Sequence, residues 1–165
     1  MKQILILSIF IIVSVDIFAQ KTPGYTQFPA ITGKKTAAVV NWNSHPKARE
    51  FRTKLQSALE KEPINFAGKY ILKQWGCGTA CIQAALIDTQ TGGVYFPEVL
   101  QGVTQGYNES FAKHEILEFK NSSNLLIIYG KAGSDFIDQS KDYVQGISYF
   151  EWTGEDFNLL KFITK

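Results

Sequence analysis

Two cysteines and two histidines in 165 residues leave this chain short of the side chains that most often carry chemistry. A four-cysteine zinc site is excluded. A Cys2His2 site would have to gather Cys77, Cys81, His45 and His114 across long separations, so neither a metal nor another cofactor is expected. Charge of one sign is equally scarce: 17 Lys+Arg stand against 15 Asp+Glu, a net +2. A nucleic-acid binder shows a clustered basic face. The one local excess here, Lys47, Arg49, Arg52 and Lys54, shares its segment with Glu50 and reads as a solvated helix face. Gly-x-Ser-x-Gly, phosphate-loop and dinucleotide fingerprints are all missing.

Long apolar runs are confined to the start. Lys2 precedes Ile4-Leu5-Ile6-Leu7-Ser8-Ile9-Phe10-Ile11-Ile12-Val13, and Ile17-Phe18-Ala19 comes before Gln20. That order is a secretory signal with cleavage expected after Ala19, so residues 1–19 stand outside the fold. Ser14 and Asp16 interrupt the run, which falls short of the roughly 20 apolar residues a spanning helix needs. The expectation is an exported chain, periplasmic or secreted, with no membrane span once the signal is removed.

What is present is a single core's worth of apolar residues, 45% of the chain, with 13% aromatic. Residues 20–35, with Pro23, Gly24, Pro29 and Gly33, carry no helical or strand period and read as an extended or disordered lead-in. Residues 36–165 then form one β-rich domain. Thr36–Trp42 reads as a first strand, and Ser44 is a candidate N-cap for the helix that follows. From Lys47 to Lys61, Ala48, Phe51, Leu55, Ala58 and Leu59 recur at three- and four-residue steps, which predicts one amphipathic helix of about four turns. Glu62-Pro63 should end it, because the residue before proline is driven out of helical backbone.

Beyond this point the pattern is strands. Phe66–Trp75 and Ile82–Asp88 flank the cysteines, and Asp88-Thr89-Gln90-Thr91-Gly92-Gly93 is a turn in which Asp88 accepts backbone amides and Gly92 or Gly93 takes positive φ. Val94–Phe96 and His114–Lys120 follow, then Leu125–Tyr129, apolar throughout and hence central in a sheet. Val144–Trp152 and Phe157–Ile163 close the chain as a hairpin. The fold class is α+β, a largely antiparallel meander of about seven or eight strands. The stretches Pro97–Ser110 and Lys131–Asp142 read as long polar loops.

Trp75-Gly76-Cys77-Gly78-Thr79-Ala80-Cys81 is the densest stretch. In an exported chain two cysteines pair, and a Cys77–Cys81 bridge closes so small a ring that it fixes one turn and adds only about 2 kcal/mol. Redox catalysts space their cysteines differently and place them at a helix start. Trp75, Gly76, Gly78 and Thr79 are the candidate recognition turn, with Trp75 also suited to core packing. Asp135, Asp138 and Asp142 lack a calcium-loop spacing. Glu115 and Glu118, on an alternating strand, should face opposite sides and cannot act as a carboxylate pair. Tyr107, Phe111, Phe136 and Tyr143 are aromatic candidates for partner contact.

Phe66-Ala67-Gly68-Lys69-Tyr70, Trp75-Gly76-Cys77-Gly78-Thr79 with Cys81, and Asp88 with Thr91-Gly92-Gly93-Val94 together resemble a family of uncharacterised exported bacterial proteins. The likeness extends over most of residues 36–164 and implies no activity, substrate or catalytic residue. The expected function is therefore a non-enzymatic binding domain whose partner is another protein or an envelope component. One concrete version is an inhibitor of a cell-wall or host hydrolase. The other class is a small thiol-dependent hydrolase or redox enzyme using Cys77 and Cys81 with a histidine.

Overall fold

A computed structural model describes residues 21–79, 81–105, 109–133 and 145–165. The expected signal at 1–19, the candidate anchors Tyr107, Phe136 and Tyr143, and the aspartates Asp135, Asp138 and Asp142 lie outside them. One α-helix, α1 (Arg52–Lys61), and seven strands are present among the described residues. The strands are β1 (Tyr70–Gly78), β2 (Cys81–Asp88), β3 (Val94–Tyr95), β4 (Leu117–Phe119), β5 (Leu125–Gly130), β6 (Gly146–Trp152) and β7 (Phe157–Thr164). Within each sheet, consecutive strands pair antiparallel. They do not form one meander, however, but two sheets, β1-β2-β3 and β4-β5-β6-β7.

Strand alternation explains the two sheets. In β1 and β2, Ile71 and Ile87 point one way and pack with Leu55, Ala58 and Leu59 of α1. Leu72 and Leu86 point the other way and meet Leu117, Leu126 and Phe150 of the second sheet. The first sheet is thus buried on both faces over Tyr70–Leu72 and Ala84–Asp88. β5 is buried along its whole length, as its unbroken apolar run requires, because its second face carries Leu125 and Ile127 onto Tyr25 and Phe28. A strand read from sequence reveals its period but not which edge it joins, and the chain from β3 to β4 crosses to a new sheet.

Upstream of α1 the local structure departs from expectation. Thr36–Trp42 forms no strand: its amides at Thr36 and Ala37 both donate to the Thr89 carbonyl, and Asn41 donates to that of Gly92. It binds a turn instead of a ladder, with Val40 buried against the helix. The apolar stripe is split, because a 3-10 turn over Pro46–Arg49 ends before α1 and Phe51, at φ −107° and ψ 23°, lies between them. The cap is His45, whose Nδ1 accepts from the Lys47 amide, and not Ser44, whose hydroxyl bridges the Asn41 carbonyl and the Val94 amide. Residues 21–35 are laid across the domain, with Ala30 donating to Ser122 and Gly33 to Gly68.

Candidate functional site

Burial falls away along β1. Tyr70, Ile71 and Leu72 are buried, Trp75 is half-buried, and Gly76, Cys77, Gly78 and Thr79 are exposed. The hairpin end therefore stands clear of the core. There Cys77 and Cys81 form a disulfide across Cα atoms 5.2 Å apart. The ladder slips between Gly76 and Gly78, where Gly78 pairs with Cys81 at φ +147°. A Cβ at Gly78 would meet nothing within 4 Å, so glycine is needed for backbone conformation and not for room.

Trp75 belongs to the base of this protrusion. Its ring centroid lies 4.7 Å from that of Phe51 and 6.5 Å from that of Phe96, and the Phe96 ring in turn meets His45 at 4.8 Å. Of the four candidate recognition residues, Gly76, Gly78 and Thr79 are thus on the surface, and Trp75 anchors the hairpin on the helix layer.

Neither histidine completes a thiol site. Both sulfurs are in the disulfide and no cysteine is free. His45 is engaged as a cap, and burial pushes its pKa below the usual value. His114 Nδ1 lies 2.9 Å from Glu118 Oε1, its ring stacks on Tyr129 at 4.0 Å, and the Tyr129 hydroxyl lies 3.4 Å from Glu118 Oε2. Burial first, and the Glu118 charge second, push the phenols of Tyr25 and Tyr129 up to about 12. Among the described residues no three metal-ligating side chains gather.

Sequence reasoning missed this second cluster by extending the strand too far. β4 begins only at Leu117, so His114 and Glu115 lie on the turn before it and strand alternation does not govern them. Glu115 and Glu118 consequently border one groove of about 520 Å³, together with Gln74, Leu117, Phe119 and Lys120. The His-x-x-x-Glu spacing was the available signal. Phe111, a candidate partner contact, is 1% exposed and packs with Tyr129, which places it in the core.

Compared with known proteins, the chain matches no family model, no curated sequence and no solved structure. Function therefore rests on the geometry itself. The basic residues of the helix segment are dispersed: Arg49 bonds to Asn43, Arg52 lies over the Trp42 ring, and Lys47 and Lys54 are exposed. No helix among the described residues is long and apolar enough to cross a membrane.

Proposed function

We propose that this is an exported, non-enzymatic binding domain that presents the Cys77–Cys81 hairpin end to another protein or an envelope component. The carrying observation is that the disulfide sits on the exposed residues Gly76–Thr79 and not between core elements. So small a ring contributes about 2 kcal/mol to the fold. Its larger effect is to hold an exposed loop in one shape, which reduces the entropy lost when a partner engages it. A rigid protrusion seated on Phe51, Trp75 and Phe96 suits insertion into a cleft, the mode of a hydrolase inhibitor. The thiol-dependent alternative needs a free Cys77, and the bonded pair supports the binding reading instead.

The test is capture from an envelope extract by immobilised oxidised protein, run beside Cys77→Ala/Cys81→Ala and Thr79→Arg. A partner retained by the wild type and lost by both variants, with circular dichroism unchanged, is the expected outcome. Equal retention by all three would overturn the assignment of this turn.

A further inference from the structure

The outer edge of β1 is closed along its first half and open along its second. Lys69 turns its carbonyl toward the β2 side, where the Thr89 amide bonds it. Tyr70, one residue on, exchanges both backbone bonds with Phe66 on the opposite side. Leu72 has its amide and carbonyl satisfied by the Asn65 side chain, with Leu72 N donating to Asn65 Oδ1 at 2.7 Å and Asn65 Nδ2 donating to Leu72 O at 3.2 Å. The period of two puts the amide and carbonyl of Gln74 and Gly76 on that same outer side. There they have no partner among the described residues. The covering segment stops because it runs back through Pro63, which has no N–H, into the end of α1.

This open half is the stapled half, and Gln74 also lines the groove of about 520 Å³ whose far wall is β4. Leu117 and Phe119, which line that wall, are themselves edge residues, since among the described residues β4 pairs with β5 alone. The groove carries two carboxylates, Glu115 and Glu118, against one ammonium, Lys120, which sits 4.5 Å over the Tyr25 ring. Among the described residues, the ion-pairing partner of Glu118 is His114.

We infer that a partner segment in extended conformation adds to the edge of β1 at Gln74 and Gly76, with a lysine or arginine directed into the groove at Glu115 and Glu118. Main-chain bonds to the edge supply affinity, and the carboxylates select the basic side chain. The staple prevents this edge from fraying before it is used. The inference rests on the binding reading and names the partner's form.

The probe is a capped hexapeptide of alternating lysine and valine, titrated into the oxidised protein and followed by amide chemical shifts. Controls are the glutamate–valine analogue and a lysine–valine peptide methylated at alternate amides. The expected result is saturable shifts at Gln74 and Gly76, at least tenfold weaker binding of both control peptides, and loss of binding in Gly76→Pro with the β1–β2 ladder still protected from exchange. Glu118→Gln should weaken the basic peptide several-fold and leave the acidic one unchanged. Shifts confined to Gly78 and Thr79, no shift at Gln74 and Gly76 at millimolar peptide, or dimerisation of the free protein through β1 would each overturn the inference. If Gly76→Pro still captures the envelope partner but the cysteine double variant does not, edge addition fails and the binding reading survives. If both variants capture it, both fail.

Discussion

The two ends of β2 are held by opposite means. Its first end, at Cys81, belongs to an exposed turn with a covalent staple. Its second end, at Asp88, opens a turn with none, in which Asp88, Thr89, Gly92 and Gly93 are buried and Gln90 and Thr91 exposed. Asp88 is 2% exposed and Thr89 0%. Asp88 Oδ1 accepts from the Gln90 and Thr91 amides, and Oδ2 lies 2.7 Å from the Lys69 ammonium. The Thr36–Asn41 segment covers this turn, and the Lys69 carbonyl accepts from both the amide and the hydroxyl of Thr89. A turn that other chain segments cover can be fixed by hydrogen bonds, because each bond is shielded from water. A turn that nothing covers has water competing for every such bond, and a disulfide is the bond water does not compete with.

The sharpest way to break this contrast is at the buried turn. Asp88→Ala removes the oxygen that accepts from two amides and leaves Lys69 without its anion, and should cost about 3 kcal/mol in denaturant unfolding. Gly92→Ala should be of similar size, since Gly92 has φ +74° and a Cβ there would lie 2.3 Å from the Val39 carbonyl oxygen. Next comes the stapled turn, where Cys77→Ala/Cys81→Ala should cost about 2 kcal/mol and leave the unfolding slope unchanged. Equal or greater loss there than at Asp88 would mean that the staple supports the fold.

How much of this was legible follows from the same distinction. The Asp88 turn could be read because its parts are local: an aspartate accepting amides two and three residues on, and Gly92 at positive φ. The amphipathic stripe from Ala48 to Leu59 and the buried run of β5 were also visible, since periodicity reports burial. The failures are non-local. Thr36–Trp42 has strand composition, yet its partners are the Thr89 and Gly92 carbonyls of a turn far along the chain, which no local pattern announces. The division into two sheets depends on which edges meet, and the Asn65 amide that closes half of β1 is an ordinary asparagine until its position beside Leu72 is known.

Smaller effects sharpen the comparison further. Gly78→Ala meets no atom and suffers only its φ of +147°, so about 1 kcal/mol is expected, while Gly76→Ala, whose Cβ would make an ordinary contact 3.9 Å from the Cys81 carbonyl oxygen, should be nearly neutral. The smallest effect concerns charge. The hydrogen bond to Asp88 raises the Lys69 pKa above its ordinary 10.5. A raised lysine pKa contributes stability that is present below the unfolded value and is lost as pH rises through the folded one. A carbon-13 titration of the Lys69 side chain should show that raised value falling in Asp88→Asn, with the stapled turn unaffected.

The most direct test of the claim that the staple acts on an exposed binding element is a backbone nitrogen-15 relaxation comparison of oxidised and reduced protein. Order parameters of about 0.85 for Gly76–Thr79 in the oxidised form, falling below about 0.6 on reduction while Thr89–Gly92 stay rigid, are predicted. Values already below about 0.6 with the disulfide intact, or no change on reduction, would contradict it.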